Sequence, residues 1–122
     1  MKKRTKKQKF SRKRLLEARR ILKHARKLIS KGWTKGVYVL KTRQAGKANE
    51  SFCLLGALDR ATRATHSSRL AKNEAQNKLS QYIPKKSKID DINFIRYNDD
   101  VKTSHSQVLA TLDAAIATIV KD

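Results

Sequence analysis

Nine of the first fourteen residues are Lys or Arg, and none is acidic. Charge at that density repels itself and cannot form a core. The apolar core of this chain must therefore be built from the residues beyond this stretch. The asymmetry runs on: residues 1–31 hold fifteen basic residues against one acid, Glu17, whereas residues 84–122 hold six of each. The 122 residues together carry a formal net charge of +20. The chain reads as a near-neutral domain with a cationic front. Residues 1–10 are expected to be a mobile, disordered basic arm. Residues 11–122 are expected to be one helical domain, because the length suits a single domain. A front of this sign points to a polyanionic partner, nucleic acid before an anionic membrane.

Several classes drop out. No apolar run approaches the ~18 residues that a membrane span needs. No apolar signal core follows the basic start at Met1–Arg4, so export by that route is not expected and a cytoplasmic location is. Cys53 is the only cysteine, which excludes an internal disulfide and a cysteine-based zinc site.

Segment 11–31 places Leu15, Ala18, Leu22, Ala25 and Ile29 at helical spacing, with Leu16, Ile21 and Leu28 widening the stripe. Ser11 is a candidate N-cap and Gly32 a stop. The opposite face carries Lys13, Arg20, His24, Lys27 and Lys31, flanked by Arg12, Arg19, Lys23 and Arg26. One helix thus serves as core wall and cationic surface.

Gly32 and Gly36 bracket Trp33, which suggests a turn pinning a large ring on the core. Residues 37–40 (Val-Tyr-Val-Leu) predict a short extended segment, and residues 41–50 read as a loop. A nearly all-apolar run makes 51–66 the expected central helix. Gly56 inside it, at a cost of roughly 1 kcal/mol relative to Ala, implies another backbone close by. A third helix is predicted from Ser67 or Ser68 to about Tyr82, stopped by Pro84. A short one is predicted over 89–97, broken by Asn98-Asp99-Asp100. A last one runs over 104–120, opened by the capping-box spacing of Ser104 and Gln107. Together these describe a compact all-α domain of four to five helices. Leu22, Ile29, Leu55, Leu58, Leu112 and Ile116 should share its core.

The motifs Gly32-Trp33-Thr34-Lys35-Gly36, Phe52 to Leu58 (FCLLGAL), Tyr97-Asn98-Asp99 and Val108 to Ile116 (VLATLDAAI), in that order, resemble a small bacterial and phage family, the domain-of-unknown-function family 6197. The resemblance covers about residues 14–117. Tyr97 stands where members of the family commonly have Trp, and the dense arm looks like an addition. The resemblance implies a domain and a bacterial cell or phage-infected cell as its setting. It implies no mechanism.

Chemistry-bearing residues have plain structural readings. Cys53 lies on an apolar stripe, as a buried thiol would. His24 lies on the basic face, and His66 and His105 near helix ends. No metal-ligand spacing accompanies them, so no metal and no cofactor is expected. The carboxylate pairs Asp90-Asp91 and Asp99-Asp100 suit helix starts and turns. Catalytic residues are not expected, and the chain is read as a non-enzyme. The polar–aromatic set Trp33, Thr34, Lys35, Tyr97, Asn98 and Asp99 is either a small-ligand pocket or a lock, since a buried indole N–H needs an acceptor.

Largely sequence-nonspecific binding of nucleic-acid phosphates is the expected function. The expected contacts are Lys2, Lys3, Arg4, Lys6, Lys7, Lys9, Arg12, Lys13 and Arg14, continued by Arg19, Arg20, Lys23 and Lys27. In the alternative, the domain binds a small anionic ligand or a host protein, and the arm adds only solubility or steering.

Overall fold

In the computed structural model, residues 6–44 and 46–119 are described. The first element is a 26-residue helix, α1 (Lys6–Lys31), about 39 Å long at ~1.5 Å per residue. It begins five residues ahead of the expected Ser11 boundary, so its backbone takes in half of the expected arm. Lys and Gln are good helix formers, and extending an existing helix costs far less than nucleating one. Residues 1–5 of the arm lie outside the described residues.

Next in the chain, β1 (Val39–Gln44) and β2 (Lys47–Phe52) form an antiparallel hairpin, with Val39 opposite Phe52 and Gln44 opposite Lys47. Gly46 at the turn has φ +79°, which a side chain would resist. The expected loop over 41–50 is thus a ribbon, and the fold is mostly helical but not all-α. The remaining elements are helical: α2 (Leu54–Ala64), α3 (Arg69–Ser80), α4 (Asp90–Asp99) and α5 (His105–Ala117). α2 starts three residues later than expected because Ser51 and Phe52 belong to the strand. Cys53 caps the helix, its Sγ accepting from the Gly56 N–H at 3.3 Å. α4 runs on through Asn98 and Asp99 instead of breaking there. Ser68 caps α3, and Ser104 with Gln107 makes the capping box of α5.

α2, α3 and α5 all pack on α1. Ala18, Ile21, Leu22, Ala25 and Ile29 of α1 are buried against Leu54, Leu55, Leu58, Leu79 and Leu112. Ile116 is only partly buried at the edge of this core. Gly56 does face another backbone, that of Tyr38 in the bend before β1; of the expected extended segment 37–40 only Val39 and Leu40 are strand. A Cβ on Gly56 would overlap the Tyr38 carbonyl oxygen and stand 2.9 Å from its carbon. The same Tyr38 carbonyl accepts from the Cys53 N–H at 3.0 Å. Gly56 therefore sets how closely α2 seats on the hairpin.

Candidate nucleic-acid interface and the Trp33–Asn98 junction

With its apolar stripe buried, α1 turns Lys13, Arg20, Lys23, Lys27 and Lys31 to solvent. Lys13, Arg20 and Lys27 are seven residues apart, so they repeat at about 10.5 Å along one face. None of the five is paired with a carboxylate among the described residues. Three acids pair with other cations instead: Asp113 holds Arg26 at 2.6 Å, Glu50 holds Arg60 at 3.0 Å, and Asp59 holds Lys72. The exposed stripe is narrower than the sequence suggests, because Arg12, Arg14 and Arg19 are half-buried at its flanks. Lys6, Lys7 and Lys9 fall on the first turns of α1, and Lys2, Lys3 and Arg4 lie outside the described residues.

The second candidate set converges on Asn98, which is fully buried. Its Oδ1 accepts from the Trp33 indole Nε1–H at 2.7 Å and from the Leu54 N–H at 3.0 Å. Its Nδ2 donates to the Thr34 carbonyl at 2.9 Å and to Asp99 Oδ1 at 3.0 Å. That Asp99 oxygen also accepts from the Gly36 N–H at 3.0 Å. Lys35 reaches the Asp100 carbonyl at 2.6 Å, and its ammonium lies 5.1 Å from the Trp33 ring centroid. One residue on α4 therefore joins the turn after α1 to the start of α2. Five of the six residues meet here. The hydroxyl of the sixth, Tyr97, lies 2.8 Å from Thr111 Oγ1 and ties α4 to α5 instead.

Three contributors carry no signal in the sequence. His105 stacks on Trp33 with centroids 5.7 Å apart, and its Nε2 lies 2.6 Å from the Ile29 carbonyl. Buried Asn93 accepts from the Lys86 and Ser87 N–H groups, both at 3.0 Å, and so shapes the loop after Pro84. Arg60 sits over the Phe52 ring while pairing with Glu50. The hydrogen bond from Arg60 holds the Glu50 carboxyl below the usual carboxylate range.

Two cavities flank the junction and share Asp99. The larger, about 680 Å³, is rimmed by Lys86, Arg96 and Lys102, with Tyr97 and Asp100. The smaller, about 380 Å³, is lined by Val37, Tyr38, Ile95 and Cys53. Burial pushes the Cys53 pKa up, which disfavours the thiolate.

The glycine–tryptophan turn, the Cys53 cap with Gly56, and the Asn98-Asp99 pair thus form one continuous set of contacts. The profile of a family of unknown function, DUF6197, matches residues 13–118. The chain belongs to this family. The DUF6197 match begins within α1 and ends one residue past α5, close to the span of 14–117 expected from the motifs. It takes in the whole Trp33–Asn98 junction and the exposed α1 stripe. No curated protein and no solved structure matches the chain. Among the described residues, no helix is long and apolar enough to cross a membrane.

Proposed function

We propose that this DUF6197 protein is a non-enzymatic, nucleic-acid-associated protein that neutralises backbone phosphates. The exposed face of α1 and the basic residues ahead of it make the contact. The observation that carries this reading is the run of Lys13, Arg20, Lys23, Lys27 and Lys31. They are exposed, on one side of a single rigid helix, with no acidic partner among the described residues. A stripe of that kind attracts a polyanion without regard to sequence. A buried thiol with a raised pKa is a poor nucleophile, which is in keeping with a binding role.

The alternative, capture of a small anion, draws on the larger cavity. Lys86, Arg96 and Lys102 form no ion pair there among the described residues, whereas backbone N–H groups of Gly36 and Lys102 engage Asp99 and Asp100. Two charge-neutralised variants separate the readings. Lys13→Gln/Arg20→Gln/Lys27→Gln should weaken duplex DNA binding about tenfold or more at moderate, fixed salt. Lys86→Gln/Arg96→Gln should leave it within about twofold. The opposite ranking would favour the cavity.

A further inference from the structure

The outer half of the β1–β2 ribbon packs on nothing that explains it. Lys41, Thr42 and Arg43 on one strand and Lys47, Ala48 and Asn49 on the other are all exposed. A lone two-stranded ribbon is marginal in water, yet this one is held firmly at its base. The Phe52 N–H donates to the Gly32 carbonyl at 2.9 Å, and the Thr34 N–H donates to the Phe52 carbonyl at 3.1 Å. Gly32 is pressed against Glu50 and Ser51 so closely that a Cβ would come within 2.7 Å of both. The ribbon is therefore anchored at the C-terminal end of α1, next to the end of the cationic stripe.

Side chains alternate between the two faces of a strand. The register sets Thr42 opposite Asn49 and Arg43 opposite Ala48. Lys41 and Arg43 thus share one face. Thr42, Asn49 and Lys47 share the other. The ribbon presents Lys41 and Arg43 on one side, with Glu50 opposite Lys41 at its inner end, and Lys47 beside the hydrogen-bonding Thr42 and Asn49 on the other, with Ala48 the only apolar residue among the six. A protein partner would gain little from so polar a surface.

We propose that this ribbon enters the major groove of duplex DNA, with Lys41 and Arg43 against phosphates and Thr42 and Asn49 towards base edges. The proposal rests on the nucleic-acid reading above and adds base discrimination that the α1 stripe cannot supply. Two strands about 4.8 Å apart fit a groove about 12 Å wide, which admits a two-stranded ribbon. The deep, narrow major groove of A-form RNA does not. An Asn amide matches the N6 and N7 pair of adenine, and one such bidentate contact discriminates by about 5–150-fold.

The test uses the full chain. Randomised duplexes are selected by binding. Affinities for the selected and a scrambled duplex are then compared by fluorescence anisotropy at fixed salt. The wild type should enrich an adenine-containing motif and prefer it about fivefold or more. Asn49→Ala should abolish that preference and keep the affinity for the scrambled duplex. Lys41→Gln/Arg43→Gln should weaken both duplexes alike and reduce the salt slope by about 2. Circular dichroism confirms that these exposed-site variants are folded. A wild type that binds the scrambled duplex but enriches no motif overturns the ribbon proposal. So does a preference that survives in Asn49→Ala, or tighter binding to double-stranded RNA than to duplex DNA. A wild type that binds no duplex at all overturns the phosphate-binding reading itself, and the ribbon proposal with it.

Discussion

Replacing Asn98 tests whether the junction is a keystone of the fold. Asn98→Ala removes the acceptor of the buried Leu54 N–H and of the Trp33 indole, together with the donor to the Thr34 carbonyl. A buried donor left unsatisfied costs about 1–3 kcal/mol. The two part-buried groups, which water can reach in part, should each cost about 1 kcal/mol. The expected loss is about 3–5 kcal/mol, against a total of about 5–15 kcal/mol for an ordinary domain. Urea unfolding reads it, followed by far-ultraviolet circular dichroism and by the fluorescence of the single Trp. The two curves should coincide, with the midpoint lowered by roughly 2 M and the slope unchanged. Asn98→Asp sharpens the test. It keeps an acceptor for Trp33 and Leu54 but sets a carboxylate beside Asp99. Its folded-state pKa should be raised by burial and by that charge. The variant should therefore be weak at neutral pH and recover stability as pH falls through the raised pKa. A loss below about 1 kcal/mol in Asn98→Ala, or no acid recovery in Asn98→Asp, refutes the keystone role.

Packing and charge set three other outcomes. Gly56→Ala, although small, should cost about 1–3 kcal/mol or more in urea unfolding, because the new methyl meets the Tyr38 carbonyl. Unchanged stability would mean that the segment carrying Tyr38 moves freely. Glu50, held below its ordinary pKa by the hydrogen bond from Arg60, stabilises the fold above the usual carboxylate pKa. That contribution should disappear as pH falls through the lowered folded value. Arg60→Gln should flatten this acid limb of the stability profile, and an identical limb in both proteins would contradict the assignment. Cys53 is only 5% exposed, so a thiol reagent should modify it far more slowly in the native protein than in urea. Equal rates would show that its environment opens readily.

What can be read from the sequence depends on whether a signal is local. α1, α3 and α5 are amphipathic and carry recognisable starts or stops: Gly32 after α1, Ser68 before α3, and the Ser104–Gln107 box before α5. A lock between Trp33 and the Asn98-Asp99 pair is one of the two readings the sequence offers, because an indole packed on the core needs an acceptor. The ribbon has no such signal. Its outer strands face solvent on both sides, so Lys41 to Arg43 and Lys47 to Asn49 show no apolar alternation. The start of α2 is hard to place because cysteine seldom caps a helix and Phe52 looks helical beside Leu54 and Leu55. The stacking of His105 on Trp33, the hold of Asn93 on the loop after Pro84, and the clasp of Arg60 on Glu50 and Phe52 depend on tertiary proximity.

The most direct test of the phosphate-binding account is the salt dependence of duplex DNA affinity, measured for the full chain and for one lacking residues 1–13. Contact with about 6–8 phosphates predicts a log–log slope of roughly −5 to −7 and about 10³-fold weakening between about 50 and 200 mM salt. Deleting residues 1–13 removes eight basic residues and should flatten the slope by several units. A shallow slope in the full chain, or undiminished affinity after the deletion, would contradict the account.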